Sequence, residues 1–575
     1  MASGPSSFQQ WKSTYLSIDK LQNQQYKAAS PGDSLRVGGN GNVAPEKRTS
    51  VSQNNAARHK KVLRQMISCG QTVSQSTAEF QAPKQRTWHP SFLDNCCSIN
   101  WKDAMNLIPA HAFLARLPRR LPHCLSLLAI LCLTLAVPSP GNNALAADAA
   151  PGIIGKNEWL FYRYEVSDNK DSAATQASVD LIARLNQVLA RNGVTLAVAM
   201  VPIKMRIYAE HLPPELKLSD YLAGNYEHMN KALRAQQVQT IDLNSAFMNS
   251  PLRSGDNPLF IRLDTHWSPT GALLAAETIR AEIDANPQLK KAFAATSEEK
   301  FNLTWNKKKI AGKSRDLVEQ LPKGHGATFA PEQLLGFAVS RAGAAKEGLL
   351  GEDAAPGVAL MGSSYSDNWT GFAEALRFTL QRDLLDISVG AERGTWYGIE
   401  SYLRDASFQT QKPKLLIWEM PERDMKALPN YQYRDPRYLS DNTEWLLRVA
   451  SWAESTCNPS PVTAKIVSNP FAKAAPSKEG DAIEVEFSQP LDKLDYISAQ
   501  IVSNGGRNLA LEASGASSRK FSYPIGDDNI EHVFKSPLPA ASGAGFTKVR
   551  LLPGKAKQFT LKQLQVCRHP DSLLK

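Results

Sequence analysis

From residue 155 to residue 457 short apolar runs alternate with stretches of helical period. Apolar residues recurring at three- and four-residue spacing predict a helix over 175–192, stopped by Gly193, and the run 195–201 follows as a buried strand. A helix over 221–235 precedes a short strand at 240–243, and a third helical pattern covers 272–285. Further on come a strand at 358–361, a helix at 372–380 and a strand at 415–419. Such alternation predicts a doubly wound α/β domain, with a parallel sheet between two helical layers. Residues 458–478 carry Pro459, Pro461, Pro470 and Pro476 and read as a linker. Beyond it the period becomes two. Runs at 483–487, 496–502, 546–552 and 559–566, with turn residues between them, predict a C-terminal antiparallel β-sandwich over 479–575.

Charge bears mainly on the N-terminus. The formal net charge is +11, but Lys and Arg outnumber Asp and Glu by 16 to 6 over residues 1–146 and by only 50 to 49 afterwards. The basic balance therefore belongs to the leader and gives no support to nucleic-acid binding. Arg116, Arg119 and Arg120 precede the apolar run 125–137, and Ala144-Leu145-Ala146 precedes Ala147-Asp148. A basic segment, a short apolar core and a small-x-small site predict a signal peptide over 105–146 and export to the periplasm. The apolar run falls short of the roughly 20 residues that span a bilayer. Residues 1–104, rich in Ser, Gln, Asn and Lys, read as an artefactual extension upstream of a start near Met105, or as a disordered tail. Five of the seven cysteines lie in the leader, leaving Cys457 and Cys567 in the exported chain. An even pair in an oxidising compartment predicts a disulfide.

The chemistry is carried by Asp264-Thr265-His266-Trp267 and, 98 residues after the histidine, Gly362-Ser363-Ser364-Tyr365-Ser366. A serine hydroxyl becomes a useful nucleophile when an imidazole takes its proton and a carboxylate fixes that imidazole's tautomer. Asp264 and His266, two apart, share a face in extended backbone. Gly362 offers a sharp turn at the end of the strand that precedes Ser364. Ser268 and Pro269 suit a helix start directly after His266.

These two motifs, with Gly155-Lys156-Asn157-Glu158-Trp159-Leu160-Phe161 and Ile417-Trp418-Glu419-Met420-Pro421, resemble the AlgX/AlgJ group of alginate O-acetyltransferases. The resemblance implies an SGNH hydrolase-like catalytic domain over 147–457, with Asp264 as orienting acid, His266 as base and Ser364 as acetyl-carrying nucleophile. It also implies a carbohydrate-binding-module-like sandwich, a mark of one of the group's two branches. The implied acceptor is an anionic polysaccharide, alginate, and the acetyl donor is relayed across the membrane by partner proteins of alginate biosynthesis and export. Two rival readings keep the same residues: an acetylesterase, and a non-catalytic polymer-binding scaffold.

Further candidates for substrate contact are Lys204 and Arg206 just past the strand 195–201, Tyr365 beside the serine, Trp396 as a stacking ring, and Arg519 and Lys520 in the β-rich module. No P-loop, strand-linked Gly-x-Gly-x-x-Gly, His-Glu-x-x-His or Cys/His cluster is present, so no cofactor and no metal are expected.

Overall fold

The computed structural model describes residues 150–575 except 313–314, 343–354, 392, 432–439, 474–475, 507, 527 and 540–544. The expected signal peptide and extension lie outside the described residues. Among the described residues no helix is long and apolar enough to cross a membrane.

Five parallel strands form the central sheet: β1 Thr195–Val201, β2 Gln239–Ile241, β3 Val358–Gly362, β4 Leu384–Ser388 and β5 Leu415–Pro421. Their spatial order is β4-β3-β5-β1-β2. The chain runs from β1 out to β2, crosses to β3 and β4, and returns to lay β5 between β3 and β1, which makes the carboxyl ends of β3, β5 and β1 the switch point where such sheets bind ligands. β5 pairs with β1 in continuous register from Leu415 opposite Thr195 to Pro421 opposite Val201.

Period two divides these strands between two cores. Ala197, Ala199, Val201 and Ile417 pack with α3 Pro269–Ala285 and α4 Phe372–Leu380. Leu196, Val198, Met200, Leu416 and Trp418 face α1 Ser172–Arg191, α2 Asp220–Ala235, α5 Gly394–Arg404 and α6 Asn442–Ala453. Both faces are covered, so the strands read as unbroken apolar runs. Gly193 takes φ +77° just after α1, the left-handed conformation that ends a helix at little steric cost. Ser268 caps α3 by accepting from the Gly271 amide at 3.2 Å.

The C-terminal module has two antiparallel sheets, one of five strands and one of three, sharing a core that includes Val485, Leu511 and Phe521 from the first and Ile497, Ile501 and Phe559 from the second. One expectation is corrected. Within the Pro-rich stretch read as a linker, Ala464–Ser468 is an edge strand paired antiparallel with Ile483–Phe487. Its mostly exposed side chains leave no periodic signal. The module packs against the α/β domain: Leu494 and Leu573 belong to the core beneath α6, and the Lys535 ammonium donates to the Glu454 carbonyl at 2.6 Å.

Cys457 and Cys567 form a disulfide joining the end of the α/β domain to the last strand of the module across 110 residues. Replacing both cysteines by serine is expected to lower stability by about 2 to 5 kcal/mol, through loss of the cross-link's constraint on the unfolded chain. Urea unfolding of the oxidised protein measures this; an unchanged midpoint in the double variant would contradict it.

Candidate active site

The segment 261–266 is a turn, closed at its base by the Phe260–Trp267 bridge just ahead of α3, so the extended Asp-x-His geometry expected above is corrected. The turn brings the two side chains together through the carboxylate itself. Asp264 Oδ1 accepts from the His266 amide at 2.9 Å and lies 2.6 Å from His266 Nδ1. Asp264 Oδ2 accepts from the Asp316 amide at 2.9 Å. With Nδ1–H donating to the carboxylate, Nε2 is left to accept, and it lies 2.8 Å from Ser364 Oγ. Asp264 is fully buried, His266 nearly so, and Ser364 half-buried at the mouth of the site.

Lys204 explains why the turn holds its shape. Its side chain is 0% exposed, and Nζ donates to the carbonyls of Ile261, Arg262 and Asp264 at 2.7, 2.8 and 2.9 Å. Burial lowers this ammonium to about 8, against the opposing pull of Glu165 and Asp264. All three N–H groups are thus spent on backbone, and Lys204 is not available to a substrate carboxylate. Arg206 is corrected in the same way, since its buried fork pairs both oxygens of Glu422.

The serine sits on a second polar support. Glu419, fully buried on β5, accepts from the Ser363 amide at 2.8 Å, the Ser363 hydroxyl at 2.9 Å and the Ser366 hydroxyl at 2.8 Å. Burial pushes its carboxyl up to about 7, outweighing the hydrogen bonds from Ser363 and Ser366. Gly362 is required here for close approach, since its φ is not positive: a β-carbon would overlap the Ser366 hydroxyl and press on Glu419 Oε2. The two halves of the site are laced together, with the Tyr365 hydroxyl donating to the Thr265 carbonyl at 2.6 Å and Trp267 Nε1 to the Tyr365 carbonyl at 3.0 Å. Tyr365 is 1% exposed, so it is a strut beneath the site and not a surface for substrate.

Asp316 was not singled out from sequence. Its oxygens accept from the Thr265 amide at 2.8 Å and hydroxyl at 2.6 Å, and Oδ2 lies 3.9 Å from His266 Nδ1. Burial, and then the neighbouring Asp264 charge, raise its carboxyl. Asp264, His266 and Asp316 offer one ligand atom each within 4.8 Å of one another, the spacing of a small cation site. In this arrangement those atoms are engaged with Nδ1–H and with Thr265.

The remaining candidates lie elsewhere. Trp396 is 1% exposed, edge-on to Trp418 and Trp445, with Nε1 donating to the Ala427 carbonyl at 2.7 Å; it is core. Arg519 pairs with Glu444 of α6 at 2.6 Å and covers the Phe521 ring, so it docks the module on the α/β domain. Lys520 remains 82% exposed beside Glu512.

A serine at the carboxyl end of a strand in a five-stranded parallel sheet, hydrogen-bonded to a histidine from a separate loop, is how open α/β folds present a nucleophilic serine. The family model described as "SGNH hydrolase-like domain, acetyltransferase AlgX" matches residues 153–422. The chain is 31% identical over 289 residues to the "Probable alginate O-acetylase AlgJ" of Pseudomonas aeruginosa, a match covering 48% of this chain and 71% of the relative. It is 26% identical over 275 residues to the "Alginate biosynthesis protein AlgX" of Pseudomonas putida, covering 46% of this chain and 55% of the relative. The solved structure of Pseudomonas aeruginosa AlgX shares the fold, with TM-score 0.51 and 16% identity over 73% of this chain and 95% of that one. The chain belongs to the AlgX/AlgJ family.

Glu419 gives a signed pH prediction. Its carboxyl titrates near 7 in the fold against an ordinary 4.5, so it favours the folded state fully below pH 4.5, and that contribution is lost as pH rises through 7. Glu419→Gln removes the titration. Comparing denaturation midpoints at pH 5 and pH 8 should show the variant gaining on the wild type by up to about 3 kcal/mol. A gap that does not change with pH would contradict this.

Proposed function

We propose that this chain is a periplasmic O-acetyltransferase that moves acetyl groups through Ser364 onto hydroxyls of an anionic exopolysaccharide, alginate. The observation that carries the reading is the continuous hydrogen-bonded row from Asp264 through His266 to Ser364, within a family whose relatives are named for alginate O-acetylation.

In the first step His266 Nε2 takes the Ser364 proton as Oγ bonds to the acetyl carbonyl carbon. The tetrahedral intermediate then expels the donor's leaving group, which receives that proton from the imidazolium. In the second step a sugar hydroxyl gives its proton to Nε2 and attacks acetyl-Ser364, and Ser364 Oγ leaves with the proton. Asp264 holds the tautomer and stabilises the charged ring. The amides of Ser363, Tyr365 and Ser366 are committed to Glu419, the Ser363 hydroxyl and the Ser363 carbonyl, which makes the Ser364 N–H the donor for the developing oxyanion. The acetyl donor is supplied by membrane-relaying partner proteins, because acetyl-CoA is cytoplasmic. The two-sheet module holds the polymer as a carbohydrate-binding module, with Lys520 as an exposed cation available to it.

Ser364→Ala and His266→Ala are each expected to lower acetyl transfer by at least about 10³-fold, with Asp264→Ala the mildest of the three, because the groups act as one unit and the aspartate exchanges no bond with substrate. Transfer of labelled acetyl to unacetylated alginate oligosaccharide, with folding checked by circular dichroism, measures this. Near wild-type transfer by a folded Ser364→Ala protein would contradict the mechanism; acetate release without acceptor modification would instead identify an esterase.

A further inference from the structure

Lys204 and Arg206, the cations first expected to meet a uronate, are both consumed inside the protein. Arg423, one residue beyond Glu422, is differently placed. Its guanidinium lies 5.4 Å from the ring centroids of both Tyr162 and Tyr365, and NH1 donates to the Tyr365 hydroxyl at 3.2 Å. The residue is partly exposed, and among the described residues it makes no other side-chain hydrogen bond and no ion pair. A guanidinium has five N–H donors in a planar fork, so most of its capacity to bind an anion is unspent.

The Tyr365 ring that Arg423 rests on lies 4.8 Å from the His266 ring. A second ring, Trp369, stands edge-on to His266 at 5.0 Å and is 44% exposed. Burial is the usual state of tryptophan, and an exposed indole beside the imidazole next to Ser364 offers a platform for the C–H face of a sugar. Apart from the Lys204 ammonium, which is spent on the backbone of the turn, the nearby charge is acidic: Asp264 and Asp316 flank the histidine, and Glu165 and Asp424 act on Arg423 itself. An anionic sugar entering there meets repulsion unless a cation answers its carboxylate.

We infer that Arg423 and Trp369 form the acceptor subsite for one hexuronate residue, Arg423 binding the carboxylate through its free N–H groups and Trp369 carrying the ring beside Ser364. This rests on the transferase reading proposed above. The test uses the full exported chain, an aryl acetate as donor, and two acceptors: an oligouronate, and the same oligomer with its carboxyl groups reduced to alcohols. Arg423→Gln should raise KM for the oligouronate at least tenfold more than KM for the reduced oligomer, and Arg423→Lys should recover part of that difference. Trp369→Ala should raise KM for both acceptors alike. If Arg423→Gln impairs both acceptors equally, Arg423 acts through Tyr365 as a structural cation and the carboxylate assignment falls. If the wild type hydrolyses the aryl acetate but acetylates neither oligomer, the transferase reading fails, and the subsite with it.

Discussion

A carboxylate buried at the end of the sheet's middle strand fixes the serine turn. Glu419 has no access to water, and a carboxyl so buried, pushed up to about 7, needs fixed hydrogen-bond donors in place of hydration. Those donors are the Ser363 amide and the Ser363 and Ser366 hydroxyls, drawn from both sides of Ser364. The parallel pairing of β5 with β3 brings the carboxylate to that point. The bare α-carbon of Gly362 leaves it room. The histidine half rests on the opposite charge, since Lys204 is solvated by three carbonyls of the turn that carries Asp264 and His266. Each half of the site is shaped by a titratable group withdrawn from solvent.

These supports prepare the chemistry without touching substrate. The proposed proton transfer between Ser364 and His266, 2.8 Å apart, tolerates positional error of only about 0.5 Å, and side chains from segments 98 residues apart hold that only if both backbones are pinned. The Tyr365 hydroxyl and Trp267 indole bonds pin them to each other, and Asp316 closes the turn from a third segment. The imidazole therefore has its Nδ1 committed to a buried carboxylate and its Nε2 aimed at the hydroxyl.

Much of this was legible in the residues. β1 and α4 were read with the bounds they have, because apolar runs and helical spacing report burial directly. Asn508–Gly515 was not assigned: it alternates, but Ala, Ser and Gly carry little β signal. Asp528–Pro537 was not assigned either, because its first half is an exposed polar edge. In the site, Asp264, His266 and Ser364 stood out because their motifs are local. Asp316 lies 52 residues from Asp264 with no motif around it, and only the folded turn reveals it. Lys204 and Arg206 were correctly read as lying past the sheet's carboxyl end. Whether a cation there points to solvent or into carbonyls depends on residues 57 to 216 positions away. Glu419 lay inside a motif that marked the family, yet its role needs the neighbouring strand.

The proposed transfer turns on one covalent species. Exported protein incubated with an aryl acetate, quenched in acid, digested and sequenced by mass spectrometry should carry a single acetyl group on the peptide containing Ser364, placed on that serine, with no label there in His266→Ala. Acetyl on Ser363 or Ser366 with Ser364 unmodified, or no acetyl-serine while transfer to the polysaccharide proceeds, would contradict it.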